Sequence, residues 1–228
     1  MNSMFVTGTD TGVGKTVVTG LIARYLQEKG YNVVTQKWIQ SGSSFPKDIN
    51  EHLKIMQKSK DHIKGYLQDV CPYIFKLPSS PHLASKRERK QVSSQKIKRG
   101  FNRLLSRFDW VIVEGIGGVL VPYNNRRLVI DIVQELKLPV VIVVGNKLGA
   151  INHTLLTVEA LRKRRIKLLG IIFSNLKKED IVLKDNPKII QKLSGEIVLG
   201  TLPYERNKSS LYKYFSPIGR KLLKLLKL

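Results

Sequence analysis

The run Gly8-Thr9-Asp10-Thr11-Gly12-Val13-Gly14-Lys15-Thr16 constrains this chain more than any other stretch. It follows a short apolar run, Met4-Phe5-Val6, and precedes helical spacing from Val17-Val18 through Leu21-Ile22 to Tyr25-Leu26. Strand, glycine-bearing loop and helix, in that order, is the context a phosphate-binding loop requires. Small residues let successive backbone N–H groups turn toward phosphate oxygens, and the helix start adds its positive dipole end. In such a loop Gly12, Val13, Gly14 and Val17 surround the phosphates. Lys15 reaches the β/γ-phosphates, and the Thr16 hydroxyl ligates Mg2+. There is one departure. The strict pattern places glycine where Thr9 stands, and Gly8 comes one position too early, so the front of the loop belongs to a subtype.

With 228 residues, 42% hydrophobic and 25% charged, the chain has the composition of an ordinary globular protein with a core to bury. No linker composition or repeat interrupts it, so residues 1–228 read as one domain. The lone Cys71 rules out an internal disulfide and any cysteine-rich metal site. His52, His62, His82 and His153 are scattered without ligand spacing, so structural or surface roles are expected for each. The N-terminal apolar run is too short for a signal peptide, and no stretch is long enough to span a bilayer. A cytoplasmic protein without stable membrane association is expected. The net charge of +23, from 40 Lys+Arg against 17 Asp+Glu, favours anionic partners. The basic residues lack the interleaved aromatics of single-strand binders and match no DNA-binding motif, so nucleic acid is not expected among those partners.

Tyr31 to Gln36 reads as a second strand, ending in Lys37-Trp38-Ile39-Gln40-Ser41-Gly42. The carboxyl ends of strands face the ligand in an open parallel sheet. From position alone, Lys37 is equally an anion contact or a surface lysine. Asp48 reads as the cap or first turn of a helix through Leu53, Ile55 and Met56, and it is able to cap and ligate a metal together. Cys71 to Leu83 holds Pro72, Pro78 and Pro81 and should be irregular. Lys86 to Arg107 is basic, with amphipathic spacing in its second half.

Phe108 to Gly115 reads as a buried strand ending in Glu114, followed by Gly115-Ile116-Gly117-Gly118. An acid at that position in phosphate-loop enzymes holds Mg2+ or its water. The glycines allow close approach to a ligand. Asp109, before the strand, should lie at the far end of the sheet. Leu128 to Leu136 should form a short helix. Val140 to Gly145, Leu168 to Asn175 and Ile197 to Pro203 lack polar alternation or end in turn residues, as covered strands do. Gly149-Ala150-Ile151-Asn152 opens a helix whose free N–H groups form a second possible anion site. Asn175 carries a donor and an acceptor suited to a purine edge. The basic amphipathic end, Ile218 to Leu228, should dock on the sheet rather than on a membrane. The expected architecture is α/β: a three-layer P-loop NTPase-type domain with a mostly parallel central sheet flanked by helices.

Taken together, these pieces resemble the dethiobiotin synthetase family. The resemblance rests on Gly8 to Thr16, Lys37 with Ser41-Gly42, Ser80-Pro81-His82, Val113-Glu114-Gly115-Ile116-Gly117-Gly118, Val143-Val144-Gly145 with Leu148 to His153, Asn175, and Leu199 to Pro203. It covers nearly the whole chain. It implies ATP- and Mg2+-dependent carboxylation of 7,8-diaminononanoate by CO2 and closure of a cyclic urea, through a carbamate and a carbamic-phosphoric anhydride. It implies catalytic roles for Lys15, Lys37 and Thr11, and Mg2+ ligation by Thr16, Asp48 and Glu114. Gly115, Ile116 and Gly117 would lie against the nucleotide. Asn175, Leu176, Pro203, Tyr204 and Glu205 would bind adenine. Ser41 would contact the substrate, and Gly149, Ala150, Ile151 and Asn152 would take its carboxylate at the interface of a homodimer.

The chain departs from that family's pattern in three places. Trp38 replaces the proline that many members carry, Gly12 stands where some carry glutamate, and Glu51 competes with Asp48 as metal ligand. The alternative on the same fold is a partition or division-site ATPase that switches on DNA or membrane. Its mark is an extra lysine five residues before the loop lysine, where this chain has Asp10.

Overall fold

In the computed structural model, residues 2–178, 180–205, 207 and 210–226 are described. Lys227 and Leu228, at the end of the basic tail, lie outside them. Apolar strands set the frame: β1 (Ser3–Gly8), β2 (Val33–Lys37), β3 (Ile39–Gln40), β4 (Tyr73–Ile74), β5 (Trp110–Glu114), β6 (Val140–Asn146), β7 (Leu168–Asn175) and β8 (Val198–Leu202). The α-helices are α1 (Lys15–Glu28), α2 (Lys47–Ile55), α3 (Leu67–Val70), α4 (Pro81–Arg87), α5 (Ser94–Leu105), α6 (Val129–Glu135), α7 (Ala150–Lys163), α8 (Ile181–Ser194) and α9 (Leu211–Leu226).

Six strands form one parallel sheet in the order β2-β5-β1-β6-β7-β8. The chain works leftward from β1 to β2 and β5, then crosses to β6 and runs right. The carboxyl end of β1, which carries the phosphate loop, therefore sits where the winding direction changes, the usual ligand position in such sheets.

Side-chain alternation along each strand divides the core in two. Phe5, Val111, Val113, Val140, Ile142, Val144 and Phe173 face one layer, packed with Leu53 of α2, Phe101 of α5, Ile132 of α6, Val158 of α7 and Ile190 of α8. Met4, Val6, Ile112, Val141, Val143 and Ile172 face the other, packed with Leu21 and Ile22 of α1 and Phe215 and Leu222 of α9. A sheet covered on both faces explains strands without polar alternation. Asp109 lies at the far end, accepting from the Asn32 backbone N–H at 2.7 Å.

Two readings from sequence change. The second strand starts at Val33, not Tyr31, because Tyr31 closes the turn after α1 by donating its N–H to Leu26 O at 3.3 Å. The segment Cys71 to Leu83 is not wholly irregular. Tyr73 and Ile74 pair with Ile39 and Gln40, and Pro81 opens α4 at its first position, where a missing N–H costs nothing.

Helix α8 escapes sequence reading because Pro187 lies inside it. Proline there removes a donor to the carbonyl four residues earlier, Leu183. Asn146 Nδ2 donates to that carbonyl instead, at 2.8 Å. The same Asn146 side chain bonds Asn175 and Asn186, each at 2.8 Å.

The C-terminal helix docks against the sheet as expected. Phe215 is fully buried, with its ring centroid 6.2 Å from that of Tyr25 on α1. Phe215→Ala is expected to destabilise the chain by about 3–5 kcal/mol, read as a lowered urea midpoint. A variant with wild-type stability would show that α9 does not share the core.

Candidate active site

Helix α1 begins behind Gly14, whose left-handed backbone (φ 98) suits glycine, and no side chain caps it. Its first-turn N–H groups thus stay available to an anion. A Cβ at Gly14 would also meet Ser174 Oγ at 2.9 Å, which ties the loop to the end of β7. The misplaced glycine has a steric reason. A Cβ on Gly8 would lie 2.7 Å from Val13 and 3.0 Å from the Lys15 stem, which folds back across it. Lys15 Nζ then donates to the Asp10 carbonyl at 2.7 Å. Burial, with the nearby Lys37 charge adding to it, lowers the Lys15 ammonium to about 8.

β2 and β5 are adjacent and in register, Lys37 opposite Glu114. Both side chains are buried. Lys37 Nζ donates to Glu114 Oε1 and the Gly115 carbonyl at 2.7 Å each, and meets Asp48 Oδ2 at 2.8 Å. An ammonium has three donors, and these three partners use them all. Glu114 Oε1 also accepts from Thr16 Oγ1 at 3.0 Å. Glu114 Oε2 meets His52 Nε2 at 2.7 Å. Burial pushes the Glu114 carboxyl up, but Lys37 and the His52 bond outweigh it and bring it down to about 2. Burial also pulls Lys37 down, and Glu114 and Asp48 reverse that, leaving it raised.

Asp48 sits in the first turn of α2, behind Pro46 rather than as the cap itself. Its backbone N–H donates to Gln40 Oε1 at 3.0 Å, which ties α2 to β3. Trp38 is buried in place of a proline. Its Nε1 donates to Gln36 at 2.8 Å, and its ring lies 5.1 Å from Phe5. The substitution thus lengthens the core without entering the cleft.

These groups open on a cleft of about 720 Å³. Of the expected site residues, Thr11, Gly12, Gly14, Lys15, Thr16, Val17, Lys37, Ser41, Asp48, Glu114, Ile116 and Gly117 line it, with Gln40, Gly42, Lys47, Pro78, Ser79 and Val121. Val13 is buried beneath the loop, and Gly115 faces the cleft's edge through its carbonyl bond to Lys37. Between the two acids left open by the sequence, Asp48 lines the cleft and Glu51 does not.

Asn175, Leu176, Pro203, Tyr204 and Glu205 lie outside that lining, at the carboxyl ends of β7 and β8. Asn175 is buried, its Oδ1 accepting from Asn146. Leu176 is near the loop, since a Cβ at Gly145 would meet both Leu176 and Val13 at 3.3 Å or less. Gly149, Ala150, Ile151 and Asn152 also lie outside the cleft. Gly149 has φ 85, and no side chain caps α7. Lys147 meets Asp10 Oδ2 at 3.4 Å, so this helix start adjoins the front of the phosphate loop.

Sequence reasoning missed His52. The available signal was spacing: Asp48 and His52 are four apart, hence on one face of α2. The others are not at this site. His62 bonds the Val33 carbonyl, His82 bonds Ser80, and His153 is exposed. Among the described residues, no helix is long and apolar enough to cross a membrane.

The donor set fits Mg2+. Asp48 Oδ2 and Glu114 Oε1 already converge on one cationic atom, with the Thr16 hydroxyl beside them. Two carboxylates and a hydroxyl, completed by phosphates and water, are what this ion takes.

Because Glu114 falls from about 4.5 to about 2 on folding, its stabilisation is full above 4.5 and is lost as pH falls toward 2. Glu114→Gln, which leaves Lys37 buried without its main counter-charge, should cost about 3–5 kcal/mol at neutral pH. The gap between variant and wild type in urea titrations should close as pH approaches 2. A gap unchanged across that range would dissociate Glu114 ionisation from stability.

A family model described as an AAA domain matches residues 2–210. The chain is 38% identical over 190 residues to the ATP-dependent dethiobiotin synthetase BioD 2 of Haemophilus influenzae, covering 82% of this chain and 98% of that protein. It is 39% identical over 205 residues to the BioD of Bacillus cereus strain B4264 (90% and 84%) and 36% identical over 209 residues to that of Clostridium perfringens (88% and 90%). Among solved structures, the cell division ATPase MinD of Pyrococcus furiosus superposes with a TM-score of 0.63 at 14% identity, covering 99% of this chain and 100% of that one. A ParA family ATPase from Chlorobium tepidum gives 0.58 at 15%, covering 100% and 99%. These two likenesses establish the P-loop ATPase fold alone.

Proposed function

The chain belongs to the ATP-dependent dethiobiotin synthetase family, and from that membership we propose that it makes dethiobiotin from 7,8-diaminononanoate, CO2 and ATP. The observation that carries the reading is the Lys37 ammonium, buried at the cleft floor beside the phosphate loop and held by Glu114, Asp48 and the Gly115 carbonyl.

One amine of the substrate adds to CO2, forms a C–N bond and loses a proton to solvent, giving a carbamate. A carbamate oxygen attacks the γ-phosphorus, and ADP leaves. The second amine attacks the carbamoyl carbon, forms the second C–N bond and loses a proton to solvent or the departing phosphate, and phosphate leaves as the urea ring closes.

The protein's part is positioning and charge neutralisation. The α1 N–H groups and Gly12 to Thr16 cradle the phosphates. Lys15 exchanges the neutral Asp10 carbonyl for the terminal phosphate, whose charge raises its depressed affinity for a proton. Lys37 exchanges its most exposed partner, Asp48, with a side chain 20% exposed against 1% for Glu114, for the carbamate and transferring phosphoryl oxygens. Thr11 adds a hydroxyl to the same region. Thr16, Asp48 and Glu114 would hold Mg2+, which when bound would spread the phosphate charge. Ser41, with Ile116, Val121 and Pro78 alongside, takes the slender diamine. Asn175, Leu176 and Pro203 to Glu205 receive adenine.

Gly149 to Asn152 would receive the substrate carboxylate from a second subunit. Leu148 and Leu156, 87% and 56% exposed around α7, supply apolar surface for that homodimer. We read residues 1–228 as one cytoplasmic domain.

The test is incubation with the diamine, labelled bicarbonate, Mg2+ and each nucleotide. Labelled cyclic product with ATP supports the reading. ATP hydrolysis that rises with DNA or liposomes and ignores the diamine overturns it. Lys37→Gln should lower kcat by about 10²–10³-fold while ATP still binds; normal product formation would remove Lys37 from the mechanism. Thr16→Val should raise the Mg2+ needed for turnover, and full activity at low Mg2+ would displace Thr16 from the ligand set.

A further inference from the structure

Helix α2 presents two polar side chains to the site, one turn apart. Asp48 holds Lys37, and His52 holds Glu114. His52 is wholly buried, and its second ring nitrogen, Nδ1, has no hydrogen-bond partner. An unsatisfied buried polar atom costs about 1–3 kcal/mol. Leucine would fill similar space without that cost, so packing does not account for an imidazole here. The bond it makes does. An ionised carboxylate only accepts, so Nε2 carries the proton and donates to Glu114 Oε2.

We propose that His52 is a positioning residue for Glu114, fixing the rotation of its carboxylate so that Oε1 is the oxygen turned to Lys37 and Thr16, where Mg2+ would bind. Oε2 lies on the buried side. Without a donor there, the carboxylate must turn to find one, and among the described residues the other side-chain donors that reach Glu114 are Lys37 and Thr16, both already on Oε1. Turning would spoil the metal-facing geometry while leaving the phosphate loop intact. The inference rests on the Mg2+-nucleotide reading above.

The test uses the full chain, with ADP and Mg2+ as probes. ADP binding is followed by calorimetry while Mg2+ is titrated, and again in a chelator. Removing a hydrogen bond behind a metal ligand typically costs about 10–100-fold in metal affinity. His52→Leu should require that much more Mg2+ to tighten ADP binding, while chelator-phase ADP affinity stays at the wild-type value. His52→Gln, whose amide nitrogen can stand near Nε2 and donate, should recover most of the Mg2+ response. His52→Asn, whose shorter amide stands near Nδ1, should not, and it serves in place of the leucine variant if that one fails to fold. Wild-type Mg2+ dependence in the leucine or asparagine variant overturns the inference, as does a glutamine variant no better than asparagine. Wild-type protein that binds no nucleotide with Mg2+ overturns the underlying reading; wild-type binding matched by every variant overturns this inference only.

Discussion

The buried pair of Lys37 and Glu114 is the interaction on which the rest of the site depends. Removing two charges from water is costly, and their attraction offsets that cost only when the remaining donors and acceptors are satisfied. Here they are. The lysine spends its three donors on Glu114, Asp48 and the Gly115 carbonyl, and the glutamate accepts from Lys37, Thr16 and His52. The supporting groups come from α1, α2 and the turn after β5, so the pair can form only after β2, β5, α1 and α2 are in place. The site is therefore a product of the completed fold and not of any local segment.

Sheet order makes this possible. Lys37 and Glu114 are 77 residues apart, yet they are register partners because β5 inserts between β2 and β1. The same insertion brings the glycines after Glu114 alongside the phosphate loop at the end of β1. The edge carrying β7 and β8 contributes nothing to the charged cluster. Its tie to the loop is steric, through Ser174 against Gly14. One half of the sheet thus holds charge and the other half offers shape, a division suited to a ligand with phosphates at one end and a flat ring at the other.

Much of this was legible before any coordinates. The phosphate loop, the acid at the end of β5 and the apolar strands are local patterns, and local patterns survive in a sequence. Lys37 was only half legible, because strand-end position does not reveal whether a lysine is buried against an acid far along the chain. His52 was illegible by metal spacing, since its partner is a carboxylate on another element; only the step from Asp48 to His52 along α2 marks it. Helix α8 was hidden by Pro187, and what makes it tolerable, the Asn146 side chain on the Leu183 carbonyl, comes from β6. Trp38 read as a departure from a family pattern. Its indole is absorbed by Gln36, two residues before it, and by Phe5 on β1, a contact that the local sequence does not indicate.

The two lysines also differ in how firmly they are held, and the difference matches their tasks. Lys15 rests on one neutral carbonyl, and burial has lowered its hold on a proton to about 8. An arriving phosphate restores that charge and meets little competition, so Lys15 suits ground-state binding of nucleotide. Lys37 is held by two carboxylates and stays charged, with Asp48 the partner nearer the rim. Burial and two counter-charges keep the second lysine out of reach of solvent anions, so it suits a later exchange at the rim rather than the first capture of an anion.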